Sequence, residues 1–245
     1  MQSFKSTLQL IEWSRKGESD IQRKGEYLLL KSFPYFREVN FYFRPVSSDS
    51  SVVKQHFLSR ELQPVIEYFQ SISQFPKVMV DAGGNIGAAS RFLQLNFPEI
   101  KIIVIEPSKE NCKVIKQNLN GVEYQLYPNA LWFQSEKLSL DETKGAWGIR
   151  VSSFSGTGDS VEGLSLQMIL NLSEWGIPDF LKIDIEGAEE EIFQNDTNFK
   201  EILKKVRCIS IEPHSRHGER LIRNVLSESG FNIENHGELI YGFRL

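Results

Sequence analysis

Residues 78–87 restrict the fold more than any other stretch of the chain. They read Val78-Met79-Val80-Asp81-Ala82-Gly83-Gly84-Asn85-Ile86-Gly87. An apolar run ends at an acid, glycines follow, and a helical pattern begins. Glycine lets backbone approach a ligand where a Cβ would clash. The first turn of the next helix offers unpaired N–H groups and the positive end of a dipole. A second apolar run, Ile102-Ile103-Val104-Ile105, ends in Glu106. Two neighbouring strands that each end in an acid describe a nucleoside-binding crevice at the carboxyl edge of a parallel sheet.

The rest of the chain fits that sheet. From residue 77 onward, strands and helices alternate. Strands are predicted at 77–81, 101–105, 123–126, 137–140, 179–184 and 206–212. Helices are predicted at 86–96, 108–119, 164–172, 187–195 and 216–229, and runs 231–235 and 239–244 around His236-Gly237 read as an antiparallel hairpin. Such alternation gives a mostly parallel sheet with helices on both faces. Residues 1–76 have a different texture and form an N-terminal annex. They hold a helix near 4–14, an aromatic strand at Phe41-Tyr42-Phe43 and helical patterns near 51–58 and 61–73. Residues 141–163 are polar and glycine-rich and read as a lid loop, in which Trp147 and Phe154 could stack on a flat ligand. The chain of 245 residues therefore divides into an annex, 1–76, and a main domain, 77–245.

Bulk properties narrow the function classes. The net charge of −4 gives no whole-chain attraction to nucleic acid. The two cysteines, Cys112 and Cys208, are no disulfide framework. No apolar run approaches the roughly 20 residues of a membrane span, and the N-terminus lacks a signal-peptide core. A cytoplasmic location is the expectation.

The motifs then sort among ligands. A dinucleotide fingerprint needs G-x-G-x-x-G, and Ala82 stands at the first glycine. Asp81 would repel a pyrophosphate but suits a ligand with an ammonium group or hydroxyls. This moves the expectation from NAD toward S-adenosylmethionine. Glu106 suits two ribose hydroxyls, and Pro107 and Ser108 open the next helix beside it. In Phe180-Leu181-Lys182-Ile183-Asp184-Ile185-Glu186-Gly187, three charges alternate and share one face while the strand lasts. The next strand ends in Glu212-Pro213-His214, facing the same crevice. His214 could take a proton near neutral pH, with Asp184 the second choice of base. Asp184 and Glu212 could hold a divalent cation, although none is expected.

Taken together, VMVDAGGNIGAASRFL, IIVIEPSKENCKVIKQNL, FLKIDIEGAEEEIF and CISIEPH resemble the FkbM family of S-adenosylmethionine-dependent methyltransferases, and FYFRPVSSDSSVVKQHF is similar to its entry region. The resemblance covers about residues 39–245. It implies the α/β, Rossmann-like class I methyltransferase fold, with a seven-stranded sheet whose last strand is antiparallel. It also implies O-methylation of a sugar, glycan or hydroxylated natural product. By position it places Asp81, Gly83, Asn85 and Gly87 at the methionine end, Glu106 at the ribose, Asn129 and Ala130 near the adenine, and Lys182, Asp184 and Glu186 at the reactive centre. Two mutational expectations follow: His214→Ala lowers turnover but not cofactor affinity, and Asp81→Ala abolishes cofactor binding.

Three rivals have discriminators. An NAD(P)-dependent oxidoreductase would want the glycine that Ala82 replaces and a Tyr-x-x-x-Lys pair. A nucleic-acid methyltransferase would want an Asn/Asp-Pro-Pro-aromatic or Pro-Cys motif. A non-catalytic scaffold would be free to lose Asp81 and Glu106, and both are present.

Overall fold

The computed structural model describes residues 19–33, 36–45, 47–141, 150–153, 156 and 159–244. The expected helix near 4–14 and the expected stacking residues Trp147 and Phe154 lie outside them.

Among the described residues of the annex, a hairpin comes first, β1 (Asp20–Lys24) and β2 (Tyr27–Ser32), which β3 (Phe41–Phe43) extends to a three-stranded antiparallel sheet. Helix α1 (Asp49–Val53) runs directly into a π-helical turn, Lys54–Leu58, and α2 (Gln63–Ser71) follows. The main domain continues with β4 (Val78–Ala82), α3 (Ala88–Asn96), β5 (Lys101–Ile105), α4 (Lys109–Asn118) and β6 (Tyr124–Tyr127). Four short strands come next: β7 (Ala130–Leu131), β8 (Glu136–Asp141), β9 (Arg150–Ser153) and β10 (Ser160–Leu164). The chain then adds α5 (Leu166–Ser173), β11 (Phe180–Ile183), α6 (Glu189–Asn195), α7 (Thr197–Leu203), β12 (Cys208–Ile211), α8 (Arg216–Glu228), β13 (Asn232–His236) and β14 (Leu239–Phe243).

The central sheet has seven strands in the order β13-β14-β12-β11-β4-β5-β6. Strands β4, β5, β6, β11 and β12 pair in parallel, and β14 runs antiparallel to both of its neighbours. The last strand is therefore not at the edge. It is inserted between β12 and β13. The inner strands are buried along their whole length, as expected of parallel strands covered on both faces.

Alternation sends successive side chains to opposite faces. Met79, Ile102, Val104, Phe180 and Tyr241 share a core with Leu30, Phe41, Phe57 and Phe69 of the annex and with Phe92 of α3. Val80, Ile103, Ile105, Leu181 and Ile209 face a second core built with Leu166, Ile192, Phe199 and Ile222. Burying a Phe or Leu side chain contributes about 1.5–3 kcal/mol, so the annex is fixed to the sheet by many such side chains. Helix starts are set by side-chain caps. Ser108, Ser165, Asp196 and Ser215 each accept from the N–H three residues on.

The reading of 141–163 as one long loop needs correction. Strands β9 and β10 lie in it and join β7 and β8 in a four-stranded sheet ordered β7-β10-β8-β9. Gly163, counted as a loop glycine, sits inside β10 because a Cβ there would lie 2.8 Å from Leu138 and 3.0 Å from Trp132. It marks close packing rather than a turn.

Candidate active site

The carboxyl ends of β4, β5 and β11 meet at an open cleft. Gly83, Asn85, Ile105, Glu106, Pro107, Ala130, Leu131, Val151, Asp184, Ile185 and Glu186 line it.

The glycine turn is shaped by its neighbours. Gly83 and Gly84 donate their N–H groups to the Ile105 carbonyl at 2.9 and 3.1 Å, which pulls the turn over the end of β5. Gly83 has φ +76°, and a Cβ there would stand 1.7 Å from the Asp184 carbonyl oxygen. Only glycine fits. Asn85 also holds a left-handed backbone, φ +49°, and donates its N–H to Glu106 Oε2 at 2.8 Å. Its side-chain Oδ1 is buried with no partner among the described residues. Glu106, 3% exposed, accepts at Oε1 from Ser108 N at 2.9 Å and Asn111 Nδ2 at 3.2 Å. Burial pushes its carboxyl up to about 7 despite these donors.

Several residues expected at the cofactor lie outside this lining. Asp81 is fully buried and does not line the cleft. Its Oδ2 accepts from Ser90 Oγ at 2.6 Å, and its Oδ1 lies 3.4 Å from Lys182 Nζ. Lys182 is also buried, reaches Asp184 Oδ2 at 3.5 Å, and donates to the Gly83 carbonyl at 3.3 Å. Burial opposes its charge, but Asp81 and Asp184 outweigh burial and raise its pKa. Asp81 and Lys182 thus staple the glycine turn to β11 from beneath. Gly87 starts α3 with φ +79° and packs on Ile115 and Leu119, away from the cleft. Ser108 caps α4 behind Pro107. Asn129 is turned aside and donates to the Glu162 carbonyl at 3.1 Å. Ala130 is at the wall. Ile105, Leu131, Val151 and Ile185 are lining residues that the sequence reading missed. Ile105 had a signal, as the residue before Glu106. Val151 had none, because β9 was not recognised.

Beyond Asp184 the cleft meets an acidic cluster around His214. Its Nδ1 lies 3.1 Å from Glu189 Oε1, and its Nε2 is 3.6 Å from Glu186 and 4.0 Å from both Asp184 and Glu212. Glu189 is buried and also accepts from Ile185 N and Gly187 N, both at 2.9 Å. It too was missed, although an acid in the first turn of a helix after KIDIEG was its signal. Burial pulls the His214 imidazole down, but Glu189, Asp184 and Glu186 outweigh it and push the group up to about 9. Burial and the Asp184 charge push Glu212 up to about 7. The surrounding carboxylates favour the imidazolium, a form with no lone pair for a hydroxyl proton. Atoms of Asp184, Glu212 and His214 that could bind a cation all lie within 4.8 Å of one another. The expected acid pair thus gains a possible nitrogen ligand. Among the described residues, no helix is long and apolar enough to cross a membrane.

The Methyltransferase FkbM domain matches residues 81–240. No curated protein matches the chain. Among solved structures, precorrin-6y C5,15-methyltransferase from Geobacter metallireducens is 14% identical, covering 74% of this chain and 88% of that one, with a TM-score of 0.42. The METTL16 MTase domain is 11% identical, covering 79% and 68%, with a TM-score of 0.48. The family match spans well over half of the sequence. The chain belongs to the FkbM methyltransferase family, and its seven-stranded sheet is that of the class I methyltransferase fold.

Proposed function

We propose, with family membership as the premise, that this methyltransferase moves the methyl group of S-adenosylmethionine to a hydroxyl of a sugar, glycan or hydroxylated natural product. One observation carries the reading: the cleft lined by Gly83, Asn85 and Glu106 opens onto the Asp184–Glu212–His214 cluster. The first part fits a nucleoside. Gly83 allows close backbone approach, Glu106 is an acceptor for a ribose hydroxyl, and Ile105, Pro107, Ala130 and Leu131 give walls for a base. The second part suits an acceptor rich in hydroxyl donors. Its carboxylates, like the net charge of −4, disfavour a phosphate backbone. The family's donor supplies an already activated methyl group. What remains for the protein is to orient the acceptor oxygen, which can lower the barrier by several kcal/mol, and to take its proton.

Asp184 lines the cleft and orients the hydroxyl. The proton passes to the Asp184–Glu212 carboxylate pair, in which burial and the Asp184 charge raise Glu212 to about 7, near the working pH where a base is most effective. His214 balances the pair's charge and fixes its geometry. The proposal routes no step through a cation. Incubating the protein with labelled S-adenosylmethionine and a panel of glycans, hydroxylated small molecules and RNA tests the reading. The expected result is label on a hydroxyl compound. Label on RNA alone, or cofactor binding with no transfer to any acceptor, would overturn it, the latter in favour of a binding scaffold.

A further inference from the structure

The annex reaches the nucleoside part of the cleft through one continuous line of polar contacts. Arg44, directly after β3, grips the fully buried carboxylate of Asp49. Its Nε donates to Oδ2 at 2.8 Å and its Nη2 to Oδ1 at 2.9 Å. The same Nη2 donates to Asn111 Oδ1 at 2.8 Å. Asn111, 1% exposed in α4, turns its Nδ2 to Glu106 Oε1. A guanidinium has donors only. It therefore dictates which way the Asn111 amide faces: oxygen toward Arg44, nitrogen toward Glu106. The reversed amide would set its oxygen against a carboxylate and its NH₂ against a guanidinium, two contacts of like polarity.

We propose that Arg44 and Asp49 are positioning residues of the cofactor site, latching Asn111 so that Glu106 presents Oε2, and not Oε1, to a ligand hydroxyl. The proposal rests on the cleft being the S-adenosylmethionine site. A carboxylate oxygen has about two acceptor positions. Those of Oε1 are filled by Ser108 N–H and Asn111 Nδ2. Oε2 accepts from Asn85 N–H alone among the described residues and keeps one position open. Glu106 is thus set to grip one hydroxyl and not the pair expected from sequence. Asn85 Oδ1, buried beside it without a described partner, is the acceptor for the second. When the latch is lost, the Asn111 amide loses one of the contacts that set its orientation, and Glu106 Oε1 is held less firmly.

Calorimetry with S-adenosylhomocysteine, alongside thermal unfolding, tests this in the full chain. Arg44→Gln should weaken binding about fivefold to tenfold, the scale of one charge-assisted hydrogen bond. Arg44→Lys keeps the charge on Asp49 but cannot fork to Asn111. It should recover thermal stability and leave affinity low. On a Glu106→Gln background, Arg44→Gln should cost no further affinity, because the latch acts only through that carboxylate. Equal losses on both backgrounds, or wild-type affinity in Arg44→Gln, would overturn the latch while leaving the cofactor reading intact. No binding by the unaltered protein would overturn both. If Arg44→Gln does not fold, Asn111→Asp asks the same question: it keeps the arginine contact, places a like charge against Glu106, and should lower affinity about tenfold. Wild-type affinity there would overturn the latch.

Discussion

Glu106 and Asp184 both stand at the carboxyl edge of the sheet and both line the cleft, yet they are held in opposite ways. Glu106 is fixed by two backbone N–H groups and a latched amide. Asp184 is flanked by side-chain cations, Lys182 at 3.5 Å and His214 at 4.0 Å. Backbone donors cannot move without moving the fold, so the Glu106 side is built for one ligand shape. Side chains can rotate without moving the fold, so on the proposed function the Asp184 side is the one that can adjust to acceptors of several shapes. An invariant donor and a variable acceptor would need this division.

The comparison can be broken by experiment. Gly83→Ala should have the largest effect. Its Cβ would meet the Asp184 carbonyl at a backbone angle that alanine avoids, costing about 3 kcal/mol or more of stability and all measurable S-adenosylhomocysteine binding. Retained binding would mean that the two sides do not share a rigid floor. Asp81→Ala should come next. It leaves Lys182 buried beside a single partly exposed acid, a loss of about 3–5 kcal/mol visible in urea unfolding. Cofactor loss would then follow from the fold, and a stable variant that cannot bind would restore Asp81 to direct contact. Asp184→Asn should lower turnover about 10²-fold or more with cofactor affinity within about twofold, which steady-state kinetics and calorimetry separate. If affinity fell in proportion to turnover, Asp184 would belong to the nucleoside side.

The smallest effect concerns pH. The Glu106 carboxyl lies at about 7, above its ordinary value, so it ionises as pH rises through that point. The ionised form is the better acceptor for a hydroxyl. Cofactor affinity should therefore rise a few-fold between about pH 6 and about pH 8, and Glu106→Gln should flatten the profile. The same raised pKa has the reverse sign for stability, because the folded state holds the proton more tightly. The contribution of Glu106 to stability falls as pH climbs from the ordinary glutamate range to about 7 and is constant above it.

Sequence made the long apolar strands legible because each pairs a buried run with a glycine, a cap or an acid. It also set Glu106, Asp184 and His214 at the carboxyl ends of strands of one sheet. What it missed depends on contacts between distant residues. Strand β1 is polar, so the apolar run Tyr27-Leu28-Leu29-Leu30 of β2 has no apolar partner in sequence, and the turn at Gly25 is what marks the hairpin. Helix α7 was passed over because it follows α6 with only Asp196 between them. Alternation predicted that Lys182 and Asp184 share a face. The strand ends at Ile183, however, and Glu186 reaches the cleft on a turn with φ +59°. Asn111 is the hardest case. A polar residue on a helix gives no sign that it is buried between an arginine and a glutamate.

The insertion of β14 between β12 and β13 also bears on biogenesis. Helix α2, made early, is tied to this late strand: Tyr241 Oη donates to the Glu61 carbonyl just before α2, and Tyr68 Oη to the Arg244 carbonyl, both at 2.7 Å. At about 5–20 residues per second, ribosomal synthesis leaves the apolar annex face without its final neighbours until residues 239–243 have emerged. The sheet cannot be completed in the order in which its strands are made, because β14, the last, lies between β12 and β13.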